Sequence, residues 1–240
     1  MKNGTVYAKR VKRVYAGVKK ESKAPRIGEP TDPLGQLVLS VLSRETSLSN
    51  AQKAFTRLLE VMVDVNEVRV SSPREIADVI DAYIPNSRAC ASRLGTLLNA
   101  VYNWQNKLSL DALRAMGKRE AKHWLEELKG IEPYDIASVM LWSLGGHAVP
   151  VNTKLLAALR KEDLVDPNTP VAEVQSFLER HIPPAEAKTF CLIMAGFSAR
   201  KRARSSQAAS TSKESTRKAG ATKKTARTKT TRRKKAAQEP

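Results

Sequence analysis

The sequence predicts an all-α protein carrying a basic arm at each end. Apolar residues recur at helical spacing from residue 34 to near residue 197, and no segment of strand length alternates apolar with polar residues. The positive charge, +18 over 240 residues, lies at the two ends. Residues 1–29 hold nine Lys or Arg against two acids, and residues 200–240 hold fifteen against two. Residues 30–199 hold eighteen basic and twenty acidic side chains, so the core is close to neutral.

The helices follow in order. Leu34, Leu37, Val38, Val41 and Leu42 share one face, as do Ala51, Ala54, Phe55, Leu58, Leu59 and Met62. Ser72-Pro73-Arg74-Glu75 is a helix start, with Ser as N-cap, Pro in the first turn and Glu closing a capping box. Ile76, Val79, Ile80 and Tyr83 line the helix it opens. Further helices are expected at about 87–105, 109–116, 118–128, 134–145, 152–161, 170–181 and 185–197, eight to ten in all. No internal repeat is visible.

The expected domains are a basic N-terminal arm over 1–31, a helical core over 32–198 and a tail over 199–240. The tail is Lys, Arg, Ala, Ser and Thr without an aromatic or branched aliphatic residue, so it is expected to be disordered. The N-terminal arm carries Tyr7 and Tyr15, which give it a means of folding onto the core or onto DNA. Charge distributed in this way suits a polyanion, because each neutralised phosphate releases a condensed counterion. No apolar run approaches the roughly 20 residues that span a bilayer, so a membrane is not the expected partner. Cys90 and Cys191 fit a reducing compartment better than a disulfide scaffold. His123, His147 and His181 are scattered and read as surface or structural residues, and no metal site is expected. Trp104, Trp124 and Trp142 fall on apolar faces and are expected in the core.

The informative segment joins one amphipathic helix to the next through Leu128-Lys129-Gly130-Ile131-Glu132-Pro133-Tyr134. A short Gly-containing hairpin of this kind can aim backbone N–H groups and a helix N-terminus at a phosphate. The longer stretch LKGIEPYDIASVMLWSLGGHAVPVNTK, residues 128–154, resembles the helix-hairpin-helix and following loop of the endonuclease III superfamily of DNA glycosylases. That family shows LPGVGPKTA, an apolar helix, a Gly turn and then PVDTH. Leu128, Gly130, Pro133, Leu144, Gly145, Pro150, Val151 and Thr153 sit in register with it. LVLSVLSRETSLSNAQKAF (37–55) is similar to the first barrel helix of the family, and IPPAEAKTFCLIMAGFSAR (182–200) to its closing helix. The resemblance implies an endonuclease III-like, two-lobed helical fold, with the helix-hairpin-helix at about 118–145.

It also implies a chemistry. The family flips a base from the duplex and cleaves its glycosidic bond. Bifunctional members use a hairpin Lys that forms a Schiff base. An Asp in the VDTH segment stabilises the oxocarbenium ion. Here the Lys position is Tyr134 and the Asp position is Asn152, so no catalytic residue of the family is intact. Asn is a good helix N-cap, which gives Asn152 a structural role. The second hairpin Gly is Glu132, expected to disfavour a left-handed backbone and to repel phosphate. Glu45 stands where many relatives have a Gln that fills the gap left by the flipped base, and is expected to add negative charge facing DNA. No Cys follows Cys191, so the iron–sulfur cluster of many relatives has no ligands at its usual place, and no cofactor is expected.

The expected function is a DNA-binding protein related to base-excision-repair DNA glycosylases, without lyase activity, impaired in glycosylase activity and held on DNA largely by its arms. Two alternatives stay open: an active N-glycosylase with an altered centre, and an RNA-binding protein. The DNA-facing residues are expected to be Lys129, Gly130, Ile131 and Tyr134, with Glu45 and Lys154. In the tail they are Lys201, Arg202, Arg204, Lys223, Lys224, Arg232, Arg233, Lys234 and Lys235. The partner expected is duplex DNA bound by a monomer without sequence preference. The location expected is the cytoplasm, on the nucleoid, in a bacterium, or the nucleus in a eukaryote.

Overall fold

The computed structural model describes residues 4–21 and 32–196, and the regular structure among them is helix alone. The order is α1 Gly4–Glu21, α2 Pro33–Ser43, α3 Leu48–Val61, α4 Val65–Val70, α5 Pro73–Ile80, α6 Ser87–Gln105, a 3₁₀ turn Asp111–Arg114, α7 Lys118–Glu126, α8 Pro133–Trp142, α9 Thr153–Lys161, α10 Val171–His181 and α11 over 184–196.

The helices begin where short polar side chains can accept from the first turn. Asp32 accepts from the Gly35 N–H at 2.6 Å, Ser47 from Asn50 at 3.2 Å and Asp64 from Glu67 at 2.8 Å. At α5 the expected capping box is formed in both directions: Glu75 N–H donates to the Ser72 hydroxyl (3.3 Å) and Ser72 N–H to the Glu75 carboxylate (2.8 Å). α6 ends at Asn106, which takes the left-handed conformation (φ 52°) that closes a helix. The short helix expected at 109–116 is only the 3₁₀ turn.

Eight of the eleven residues of α2 are buried. A helix with so little polar face belongs in the interior, and α2 packs on α3, α6 and α8. α5 joins α3 to α6, α4 packs on α6, and α7 packs on α8 across the hairpin. One core runs through the unit, with Leu37, Leu58, Leu94, Leu98, Leu125 and Phe190 among its fully buried side chains.

The N-terminal segment folds onto the core in its residues 4–21 rather than extending as a free arm. α1 packs on α10, and its Ala8, Val11 and Tyr15 are buried. Tyr15 meets Phe190 edge to face at 5.2 Å. Arg10 pairs with Asp163, and Lys19 with Glu186 at 2.7 Å. The Lys19 ammonium helps to hold the Glu186 carboxyl below the usual range. Sequence charge masked this helix, because its six Lys and Arg lie on the outward face while three well-spaced side chains anchor it. The tail residues expected to bind DNA lie outside the described residues.

Candidate nucleic-acid interface

α7, the turn over 127–132 and α8 form the expected helix-hairpin-helix. Gly130 has φ +88°, the left-handed region that side chains avoid. A Cβ there would also lie 3.4 Å from the Thr96 methyl, so the hairpin seats closely on α6. Ile131 N–H donates to the Leu128 carbonyl at 3.2 Å, tightening the turn. Lys129 and Gly130 are exposed, and no acceptor among the described residues takes their N–H groups. Those two N–H groups and the Lys129 amine are what the hairpin offers a phosphate.

Glu132 departs from expectation in two ways. Its backbone is extended (φ −119°), so a side chain costs nothing there. Its carboxylate is paired with Arg44, a partner it shares with Asp135. Asp135 lies three residues on and is fully buried. It accepts four bonds: from Ser40 Oγ (2.9 Å), from Arg44 Nε (3.1 Å) and a second guanidinium nitrogen, and from the Glu132 N–H (3.0 Å). A buried carboxylate is tolerable only when its lone pairs are met in this way. These two carboxylates occupy the N-terminus of α8, the end whose dipole would otherwise attract an anion.

Tyr134 and Asn152 both face the end of α2. The Tyr134 hydroxyl shares a 2.8 Å hydrogen bond with Ser43 Oγ. Burial pushes its phenol above the ordinary tyrosine range, against the Ser43 bond that acts to lower it. Asn152 caps α9, its carbonyl oxygen accepting from Leu155 N–H at 2.9 Å. Its amide nitrogen donates to the Ser43 carbonyl at 3.1 Å. Thr153 Oγ1 donates to the Arg44 carbonyl at 2.9 Å. The last carbonyls of α2 are thus capped by the first residues of α9, and Ser43 touches both Tyr134 and Asn152. Among the described residues, these hydrogen bonds bring to Ser43 a phenol and an amide, and neither an amine nor a carboxylate.

Glu45 forms an ion pair with Arg93 (3.1 Å) and meets the Asn86 amide at 3.4 Å. Lys154 is exposed beside the α9 cap. His147 contacts the Ile182 carbonyl at 2.9 Å and His181 the Phe177 carbonyl at 2.8 Å, while His123 lies near Glu127 at 3.4 Å. Among the described residues no three His, Cys, Asp or Glu side chains are placed to hold a metal. Cys90 and Cys191 are buried free thiols, and burial pushes Cys191 up to about 12. Sequence reasoning missed Arg44, Ser40 and Ser43. A lone Arg closing an otherwise apolar helix was the available signal.

The architecture is the endonuclease III-like, all-helical DNA glycosylase fold with its helix-hairpin-helix. Endonuclease III trapped covalently on DNA matches with a TM-score of 0.60 and 19% identity, over 79% of this chain and 85% of that one. The Clostridium acetobutylicum 8-oxoguanine glycosylase/lyase bound to DNA matches at 0.62 and 16%, over 84% and 71%. The H. pylori 3-methyladenine DNA glycosylase matches at 0.60 and 16%, over 81% and 98%. An Arabidopsis thaliana protein provisionally named a DNA glycosylase is 26% identical over 157 residues, 65% of this chain. The chain spans about half the length of that relative (53%). No family model matches.

Proposed function

We propose that this chain binds DNA on a glycosylase scaffold whose base-excision centre is impaired. One observation carries the reading: Tyr134 and Asn152, which the sequence resemblance aligns with the family's Lys and Asp, are both hydrogen-bonded to Ser43. A phenol cannot form a Schiff base, and an amide cannot offset positive charge on a sugar. The loss of one positioned electrostatic stabiliser typically lowers a rate by about 10²–10³. The relatives crystallised on DNA support DNA as the partner. With Glu132 and Asp135 closing the α8 N-terminus, affinity then falls mainly to the basic ends of the chain. The binding is to duplex, by a monomer and largely without sequence preference.

The test is a panel of duplexes, each with one damaged base or an abasic site, incubated with the full chain and then treated with alkali. The expected result is binding without strand breaks above background. Robust turnover abolished by Asn152→Ala would defeat the reading. Binding that favours RNA over duplex across a salt series would replace DNA as the partner.

A further inference from the structure

Trp104 does not enter the core as its helical register predicts. The indole is 53% exposed, although α6 is buried on one face as far as Val101. Beyond Val101 the helix runs past the core, and an edge-to-face contact with Trp124 at 5.2 Å fixes the ring. An open groove of about 480 Å³ lies between this ring and the hairpin. Its walls include Thr96, Asn103, Trp104, Leu128 and Lys129, together with Glu127, whose carboxylate lies 3.4 Å from the His123 ring. Lys129 therefore belongs to the groove and to the hairpin at once, and Gly130 packs on Thr96 at the groove's edge. The Lys129 ammonium is in no ion pair among the described residues, and the Asn103 amide makes no hydrogen bond there. Asn99 is already engaged, by the Gly95 carbonyl and by Arg69.

We propose that this groove is a subsite for one unpaired nucleotide of a DNA strand held at the hairpin. The base stacks on the Trp104 indole, the Asn103 amide meets the base edge, and Lys129 takes the phosphate. The volume falls within the usual range for a small-ligand site, roughly 300–1,000 Å³. A planar ring, a bare amide and a cation in one groove match the face of a base, its edge and its phosphate, and stacking on an aromatic ring is indifferent to sequence. Bases inside a duplex are covered on both faces, so only an unpaired base can use the ring. The proposal rests on the DNA-binding reading above and adds a preference for gapped over intact duplex.

The experiment uses the full chain with a blunt duplex of about 20 base pairs and the same duplex with a gap of about five nucleotides. Tryptophan emission and affinity are read together. The gapped duplex is expected to quench emission and to bind about tenfold more tightly than the blunt one. Trp104→Ala is expected to bind both alike, at the wild-type affinity for the blunt duplex, with the quench gone. Trp104→Phe can keep the contact with Trp124 and is expected to lose the quench while keeping part of the preference. If the wild type binds both DNAs equally, or Trp104→Ala retains the preference, the groove is not a nucleotide subsite. If the wild type binds neither DNA, the DNA-binding reading is itself overturned.

Discussion

Arg44 and Asp135 form an ion pair that ties the last turn of α2 to the first turn of α8, with the carboxylate fully buried and the guanidinium nearly so. The guanidinium also reaches Glu132. One residue thus bridges both carboxylates at the start of the second hairpin helix, and its single positive charge leaves the trio at net −1. The pair sets the hairpin's position relative to the core, because α8 packs on α2. Removing Arg44 leaves Asp135 charged and buried, which typically costs about 3–5 kcal/mol. Arg44→Met is expected to lower the urea unfolding free energy by about that amount, and Asp135→Asn by less, because Arg44 keeps Glu132. Arg44→Met combined with Asp135→Leu is expected to lose less than the sum of the two single changes, since no stranded charge remains. Single changes of under about 1 kcal/mol would show that the pair does not hold the helices together.

The tyrosines report burial by their ionisation. Burial raises the phenols of Tyr15 and Tyr134 above the ordinary range, Tyr15 with help from Glu186. A phenol whose folded pKa is raised favours folding fully below its unfolded pKa near ~10 and loses that contribution as pH rises beyond it. Stability is therefore expected to fall as pH rises above ~10, with two of the five tyrosines ionising late, together with unfolding. Tyr15→Phe and Tyr134→Phe are each expected to remove one tyrosine's share of the late absorbance change. Early ionisation of all five in folded protein would contradict the burial.

Much of the fold was legible in the sequence. The capping box at Ser72, the Asn152 cap and the apolar register of α2 and α3 are local, and each appears where residue type and spacing place it. The hairpin was legible through Gly130, whose left-handed backbone needs that residue. What was not legible depended on partners distant in the chain. Glu132 looked like an electrostatic defect until Arg44, 88 residues away, came beside it. Glu45 looked exposed to DNA until Arg93 met it. Trp104 has a core register, but its helix outruns the core, and no periodicity records where a core ends.

Asn152 connects stability to chemistry. Its amide donates to the Ser43 carbonyl, and a carboxylate in that place would oppose one acceptor with another. Asn152→Asp should keep the α9 cap but lose this bond, at about 1–3 kcal/mol. The same change restores the negative charge that the family places against the sugar. It is expected to raise base release by about 10²–10³ without strand cleavage, because Tyr134 supplies no amine. Tyr134→Lys alone is expected to raise neither. The lesion panel read with and without alkali separates these outcomes, and unchanged base release in Asn152→Asp would mean that more than this charge is missing.

Salt dependence locates the source of affinity. The hairpin exposes Lys129, Lys154 lies beside the α9 cap, Glu45 is paired with Arg93, and Glu132 shares Arg44 with Asp135. α1 turns Lys9, Lys12, Arg13 and Lys20 outward. Residues 200–240 carry fifteen Lys or Arg against two acids. Each phosphate neutralised on duplex DNA contributes about 0.9 to the slope of log affinity against log salt. If about half of the tail cations reach phosphates, deleting residues 199–240 removes about 7 from that slope. The shortened chain is expected to bind weakly, with a residual slope of about 2–4 set by Lys129, Lys154 and the outward face of α1. A second deletion set, Lys9→Gln with Arg13→Gln and Lys20→Gln in the full chain, distinguishes the helix from the tail, since it removes at most about 3 from the slope. A slope and affinity unchanged by loss of the tail would move the binding element to the hairpin and α1.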